Sequence, residues 1–176
     1  HSARCSGVEK GLVDAIAKRY PTPVPAIDER GPANKSYADA MREMHKKYPN
    51  DSLVTAKHAE SLMILRPWNH WKKDGKDAEE TPEIVSVLEA GLKRWPNDPA
   101  LCHFYIHAME ASPFPEKALP AANRLRNAMP GAGHLVRGRP DCALGGCPGD
   151  RLGPGCETPK QPKSRKRHRR WIAARG

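Results

Sequence analysis

The sequence predicts an all-α fold, an α-solenoid of helical hairpins, followed by an unstructured basic C-terminal tail. Three observations predict it: apolar side chains recur at helical spacing, prolines end successive helical segments, and the segments repeat in pairs. Beyond Val136 the helical period disappears and Gly, Pro, Cys and Arg dominate. The 176 residues therefore divide into a flexible N-terminus at 1–7, a helical domain at 8–136 and a tail at 137–176 that we expect to be disordered.

Three helical segments share one ending, in which the last turn is followed by an aromatic residue or Met and then by proline. The endings are His45–Pro49, Leu92–Pro96 and Arg126–Pro130. With the prolines aligned, the i, i+4, i+7, i+11 positions coincide as Tyr37, Met41, Met44, Tyr48, then Ile84, Leu88, Gly91, Trp95, then Ala118, Ala122, Leu125, Met129. Such a stripe lies on one side of a helix, and its small residues predict closely packed helices.

The residues after two of these prolines repeat as well. Asn50-Asp51 and Asn97-Asp98 stand where N-caps would begin the next helix. Three hairpins follow, at 8–49, 50–96 and 97–130, and the last has the 34-residue length of a tetratricopeptide repeat. We expect six main helices and no sheet, with a buried set that includes Tyr48, Leu62, Leu88, Trp95, Leu101, Tyr105 and Leu125.

Two inserts lengthen the first two hairpins. The first, Pro21–Pro32, is rich in proline, and the second, Arg66–Thr81, contains Trp68, Trp71 and an Asp-Gly turn signal. Tryptophans in such a loop either fold back over the helix ends or form an aromatic lip on a binding groove.

Four stretches resemble a widespread family of tetratricopeptide-repeat proteins. They are 36–48 (SYADAMREMHKKY), 59–71 (AESLMILRPWNHW), 103–125 (HFYIHAMEASPFPEKALPAANRL) and 129–136 (MPGAGHLV). The resemblance covers roughly residues 8–136 and implies an α-solenoid that continues beyond this fragment. It brings no established reaction with it. In that family HLV is followed by a further His-rich helix, whereas this chain continues with RGRPDC.

Charge is concentrated in the tail. Between His134 and the end lie 11 of the 30 Lys and Arg residues but 3 of the 20 acids, so most of the net charge of +10 belongs there. The run 163–170 (KSRKRHRR) suits a solvated end, a nuclear-localisation signal or a phosphate-binding arm. Nucleic-acid binding is the weaker alternative, because Trp171 is the one aromatic beside the run. The compositional break after Val136 is also typical of a translated frameshift, a misjudged intron or an alternative exon.

One constellation carries candidate site residues. His103, His107 and Glu110 are spaced i, i+4, i+7, which places them on one face of one helix. Glu60 holds the register position of His107 in the preceding repeat, and His134 enters from the segment after the third hairpin. The first three residues could hold a divalent metal such as zinc, or these groups could bind a peptide together with Trp68 and Trp71.

The pattern predicts a protein-interaction scaffold that presents a concave helical groove to a protein or peptide partner. The alternative is a metal-dependent enzyme of unknown reaction at the His/Glu groove. The sequence has no nucleophile elbow, phosphate-cradling glycine loop or dinucleotide fingerprint, so we assign no catalytic residue and no cofactor beyond that metal. No apolar run approaches the roughly 20 residues of a membrane-spanning helix. The compartment stays open, with the cytoplasm as the default.

Overall fold

A computed structural model describes residues 6–22, 26–72 and 74–128 of this chain. The described part is all-helical, as predicted. Its helices are α1 (Gly7–Arg19), α2 (Arg30–Lys47), α3 (Ser52–Met63), α4 (Thr81–Arg94), α5 (Pro99–Met109) and α6 (Leu119–Ala128), with a short 3-10 helix (Pro115–Ala118) before α6. One isolated bridge pairs Trp71 with Asp77, and the described ranges contain no β-strand.

The predicted helix starts are confirmed at α3 and α5. The Asp51 carboxylate accepts a hydrogen bond of 3.0 Å from the Val54 N–H, and the Asp98 carboxylate accepts one of 3.0 Å from the Ala100 N–H. Each bond satisfies an amide that the first helical turn leaves without a partner. The Asp residues of the two repeated Asn-Asp pairs therefore fix where the first helices of the second and third hairpins begin.

Consecutive helices pack on each other along the chain, and α3 also contacts α5. One core cluster joins α3, α4, α5 and α6 and includes Ala38 of α2, and a second joins α1 and α2 with the start of α3. Five of the residues predicted to be buried are buried, namely Leu62, Leu88, Leu101, Tyr105 and Leu125. The core therefore follows the predicted stripes.

Tyr48 and Trp95 depart from the prediction, because both rings are only partly buried. Each is the C-cap residue of its helix, so it lies at the end of the core and not within it. Lys47 places its ammonium 5.3 Å from the centroid of the Tyr48 ring, and Arg94 lies 5.1 Å from that of Trp95. Each ring therefore packs against the edge of its core cluster and also lies near the cation of the residue that precedes it.

Gly91 marks the close approach that small stripe residues predict. A Cβ added there would lie 3.1 Å from Leu101 Cδ1 and 3.2 Å from Thr55 Cγ2. Both neighbours are buried, so neither can move aside into solvent. We expect Gly91→Val to lower the free energy of unfolding by about 1–3 kcal/mol, measured by urea denaturation with circular dichroism.

Gly31, near the start of α2, provides the matched control for this substitution. Apart from its chain neighbours, which include Pro32, a Cβ at Gly31 meets no atom within 4 Å, so Gly31→Val lacks the tertiary contacts of Gly91→Val and should have a smaller effect. An equal loss in both variants would contradict the close-packing explanation, since valine has a higher helix propensity than glycine and propensity alone predicts no loss.

Several predictions fall outside the described residues. This group comprises Met129, His134, residues 1–5 of the N-terminus for which we predict flexibility, and the tail at 137–176. Within the described part, none of the helices combines the length and apolar character that crossing a membrane requires.

Candidate functional site

The candidate site is a pocket of about 370 Å³ between α3, α5 and the segment that follows α3. We call it the Trp68 pocket. Its walls comprise Glu60, Met63, Ile64, Pro67, Trp68, His70, Phe104, His107, Glu110 and Ala111. The pocket has the size of a small-ligand site, and its walls are mostly apolar with a few polar groups.

The structure brings four predicted site residues to this pocket: Glu60, Trp68, His107 and Glu110. Glu60 comes from α3, while His107 lies in the last turn of α5 and Glu110 is the C-cap residue of that helix. Because α3 and α5 contact each other, equivalent positions of two successive hairpins share one wall. The register argument from the sequence predicts this arrangement.

His103 lies beside the pocket, since the lining residues do not include it. Its ring meets that of His107 edge to face, with centroids 4.5 Å apart. His107 Nδ1 in turn lies 3.0 Å from Glu110 Oε1, at hydrogen-bond distance. The three residues form a contact chain along one face of α5, as their spacing predicts.

The metal assignment to His103, His107 and Glu110 stays a prediction. Among the described residues, no group of three or more His, Cys, Asp or Glu side chains is arranged to hold a metal ion. His134, which the sequence analysis groups with these residues as a groove candidate, lies outside the described ranges.

The two tryptophans of the second insert have different environments. Trp71 is partly buried, and its Nε1–H donates a hydrogen bond of 2.7 Å to the carbonyl oxygen of Ala108. This contact anchors the insert to α5. Trp68 is 80% exposed, and its ring system lies nearly perpendicular to the His107 ring at a centroid distance of 6.0 Å.

Trp68 also has an unusual backbone conformation. Its φ is +64°, in the left-handed region that bulky residues rarely adopt. The conformation holds the indole at the mouth of the pocket, where it remains open to solvent. Trp71 therefore folds back over the helices, as one interpretation of the insert predicts, whereas Trp68 has the position of an aromatic lip on the pocket.

His70 is a pocket residue that the sequence reasoning missed. Its side chain is 9% exposed, and burial lowers the pKa of its imidazole below the ordinary value. Its backbone carbonyl accepts hydrogen bonds from Ala78 N–H and Thr81 Oγ1, which hold the insert in place. The sequence did contain a signal for His70, because this histidine lies between Trp68 and Trp71 in the insert that leads to α4.

A second pocket of about 340 Å³ lies on the same side of the helices. We call it the Ile16 pocket; its walls comprise Leu12, Val13, Ile16, Arg19, Tyr37, Leu53, Lys57 and Glu60. Val13, Ile16 and Leu53 are 59%, 37% and 51% exposed. Glu60 lines both pockets, so the two adjoin across α3. We refer to the combined surface as the groove face.

A buried polar cluster, also missed from the sequence, lies between α2, α3 and α4. The rings of His45 and His58 have centroids 5.0 Å apart, and their nitrogens are buried without hydrogen-bond partners. His58 Nε2 is 3.3 Å from Glu83 Oε1, close enough for attraction but without hydrogen-bond geometry. Arg42 binds Glu83 through both carboxylate oxygens, with Nε to Oε1 and Nη2 to Oε2 distances of 2.9 Å.

Electrostatics in this cluster keep its imidazoles neutral. Burial lowers the pKa of His58 to about 4, with the neighbouring His45 acting in the same direction. Burial also lowers the pKa of His45, and the bonds from Arg42 lower the pKa of Glu83. The arrangement serves the packing of three helices and does not open into either pocket.

Comparison with protein-family models, with curated proteins and with solved structures found no significant match to this chain.

Proposed function

We propose that this chain is a tetratricopeptide-like interaction scaffold whose groove face binds a protein or peptide partner. The observation that carries the proposal is the pair of adjoining pockets on the groove face. Of the seven large apolar side chains left exposed among the described residues, Val13, Ile16, Leu53 and Trp68 line these two pockets. Apolar side chains gathered on one face, with polar groups between them, are typical of a docking surface.

The order of the helices supports the solenoid part of the proposal. The six helices fall into the pairs α1–α2, α3–α4 and α5–α6, as the repeated sequence pattern predicts. Most of the helical residues of the groove face come from α1, α3 and α5, the first helices of these pairs, while Tyr37 of α2 and residues of the second insert complete it. First helices line the concave surface of stacked tetratricopeptide hairpins, and a partner peptide would lie across them.

The other functions considered from the sequence stay alternatives. A metal-dependent reaction would use His103, His107 and Glu110, and nucleic-acid binding would use the basic run at 163–170. The apolar groove face favours neither, because phosphate recognition needs cationic surface and metal catalysis needs converging ligands.

Peptide selection from a random display library against the intact chain tests the proposal. We expect selected peptides to lose about tenfold in affinity for Leu53→Glu, because the new carboxylate would be buried beneath the bound peptide. Isothermal titration calorimetry with each selected peptide measures the change. Leu53 is 51% exposed in the free protein, so the substitution should leave its thermal unfolding almost unchanged.

Ile27→Glu is the matched control, since Ile27 is 84% exposed and lines neither pocket. It should bind the selected peptides as the unmodified chain does. Peptides that bind both variants equally well would place the interaction surface elsewhere and contradict the proposal. Acidic peptides captured by the basic run at 163–170 would give that result.

A further inference from the structure

The Trp68 pocket differs in charge from the rest of the groove face. Its lining includes two acidic side chains, Glu60 and Glu110, and no Lys or Arg. Glu60 Oε2 pairs with Lys57 at 2.7 Å and Glu110 Oε1 with His107 at 3.0 Å, so each carboxylate directs one oxygen to a neighbour in the chain. The other oxygen of each can accept a further hydrogen bond.

The exposed face of Trp68 provides the second observation. Five aromatic rings of the described chain have a Lys or Arg of the chain within 6 Å of their centroids: Tyr20, Tyr37, Tyr48, Trp95 and Phe114. Trp68 is the most exposed aromatic residue in the described ranges, yet none of their cations lies over its ring. Tryptophan is the aromatic residue that attracts a cation most strongly.

The remaining walls suit the stem of a long cationic side chain. Met63, Ile64 and Phe104 supply apolar surface that can pack against methylene groups. His70 adds no opposing charge at neutral pH, since burial lowers its pKa. The Trp68 pocket therefore combines apolar walls with two carboxylates and an exposed indole, and it complements a side chain that is apolar along its length and cationic at its tip.

We propose that the Trp68 pocket binds an Arg or Lys side chain of a partner peptide, with the cation between the Trp68 indole and the Glu60 and Glu110 carboxylates. This inference rests on the proposed function and names the chemistry of the partner. The lining of the Ile16 pocket includes the cations Arg19 and Lys57, which would repel a second cationic side chain. This pocket would therefore bind an apolar side chain of the same peptide. Charge thus orients the peptide on the groove face.

Nuclear magnetic resonance titration of the intact chain tests the assignment with two acetylated, amidated peptides, Leu-Ala-Ala-Arg-Ala and the same sequence with citrulline. Citrulline keeps the shape of arginine without its charge. We expect the arginine peptide to bind roughly fivefold to thirtyfold more tightly and to shift the Trp68 indole N–H resonance. The Trp71 indole N–H, bonded to Ala108, should stay unchanged.

Two single-site variants locate the preference. Glu110→Gln removes a charge from the pocket and should reduce the arginine-to-citrulline ratio severalfold, as should Trp68→Ala, which removes an 80% exposed side chain. Glu43→Gln removes an exposed carboxylate that does not line the pocket, so the ratio should not change. An equal fall in all three variants would show a general charge effect and overturn the inference.

The outcomes separate this inference from the function on which it rests. Equal binding of both peptides at the Trp68 pocket overturns the cationic assignment and leaves the peptide scaffold standing. Binding of neither peptide at millimolar concentration overturns the assignment, and the scaffold is then judged by the display selection.

Replacement of the six Lys and Arg residues at 163–170 by Gln should not alter the arginine affinity. Tighter binding after that change would identify this segment as the occupant and overturn the assignment to a partner.

Discussion

Leu88→Ala is expected to lower the free energy of unfolding by about 2–5 kcal/mol, the range for a truncated, fully buried leucine. Leu88 is 0% exposed in the core cluster that joins α3, α4, α5 and α6. Removal of its isobutyl group would leave a cavity that the surrounding side chains of this cluster can fill only in part. Urea denaturation of the intact chain, followed by circular dichroism, measures the loss.

Leu53→Ala is the matched control, because it makes the same chemical change at a side chain that is 51% exposed. We expect it to cost less than about 1 kcal/mol. A loss at Leu88 no larger than at Leu53 would mean that the four helices do not share one core.

Acidification from about pH 6.5 to 4.5 is expected to cost roughly 2 kcal/mol of stability through His58 alone. His58 is 5% exposed, and burial lowers its pKa to about 4 in the folded chain. The unfolded chain, with an ordinary pKa of about 6.5, therefore takes up the proton first as the pH falls. Stability is full above the unfolded pKa and is lost as the pH falls toward the folded value.

The charged groups around His58 set the limits of this window. His45 and Arg42 face it from α2 and oppose its protonation, while Glu83 faces it from α4 and favours the charged form. His45 and His70, whose pKa values burial also lowers, add to the loss in the same direction. The stabilising contribution of Glu83 is lost only below its ordinary pKa, so the window above about pH 4.5 reports on the histidines.

Chemical denaturation at a series of pH values measures this effect, and His58→Asn provides the comparison. Asparagine is polar but does not titrate, so the variant should show a shallower slope between about pH 6.5 and 4.5 whatever its absolute stability. A flat stability profile for the unmodified chain would contradict the buried neutral pair.

Helix α3 shows why sequence periodicity recovers the fold better than the buried polar groups. Leu62 is buried as predicted, and Val54 and Ala59 are buried with it, but the polar residues Thr55 and His58 are buried as well. A helix that packs against α2, α4 and α5 is covered on most of its sides, and one-face periodicity does not record that. Its polarity alone would assign His58 to the exposed side of α3, and only the packing of the neighbouring helices shows that it is buried.

The candidate site likewise has one feature that the sequence predicts and another that it does not. The placement of His107 and Glu60 on one wall was predicted from their register, and it results from the contact between α3 and α5. The division of roles between Trp68 and Trp71 was not predicted, since it depends on how the insert returns from α3 to α4. The hydrogen bond from Trp71 to Ala108 joins residues 37 positions apart in the chain, and no local pattern encodes it.

The sequence by itself determined the all-helical fold and the Asp caps, because helical period and capping act within a few residues of the chain. Tertiary structure alone decided the two adjoining pockets, the positive φ of Trp68 and the burial of His45 and His58. These features arise where side chains from separate helices and the second insert meet. Their energies depend on desolvation and close packing, which become defined only after the helices are in contact.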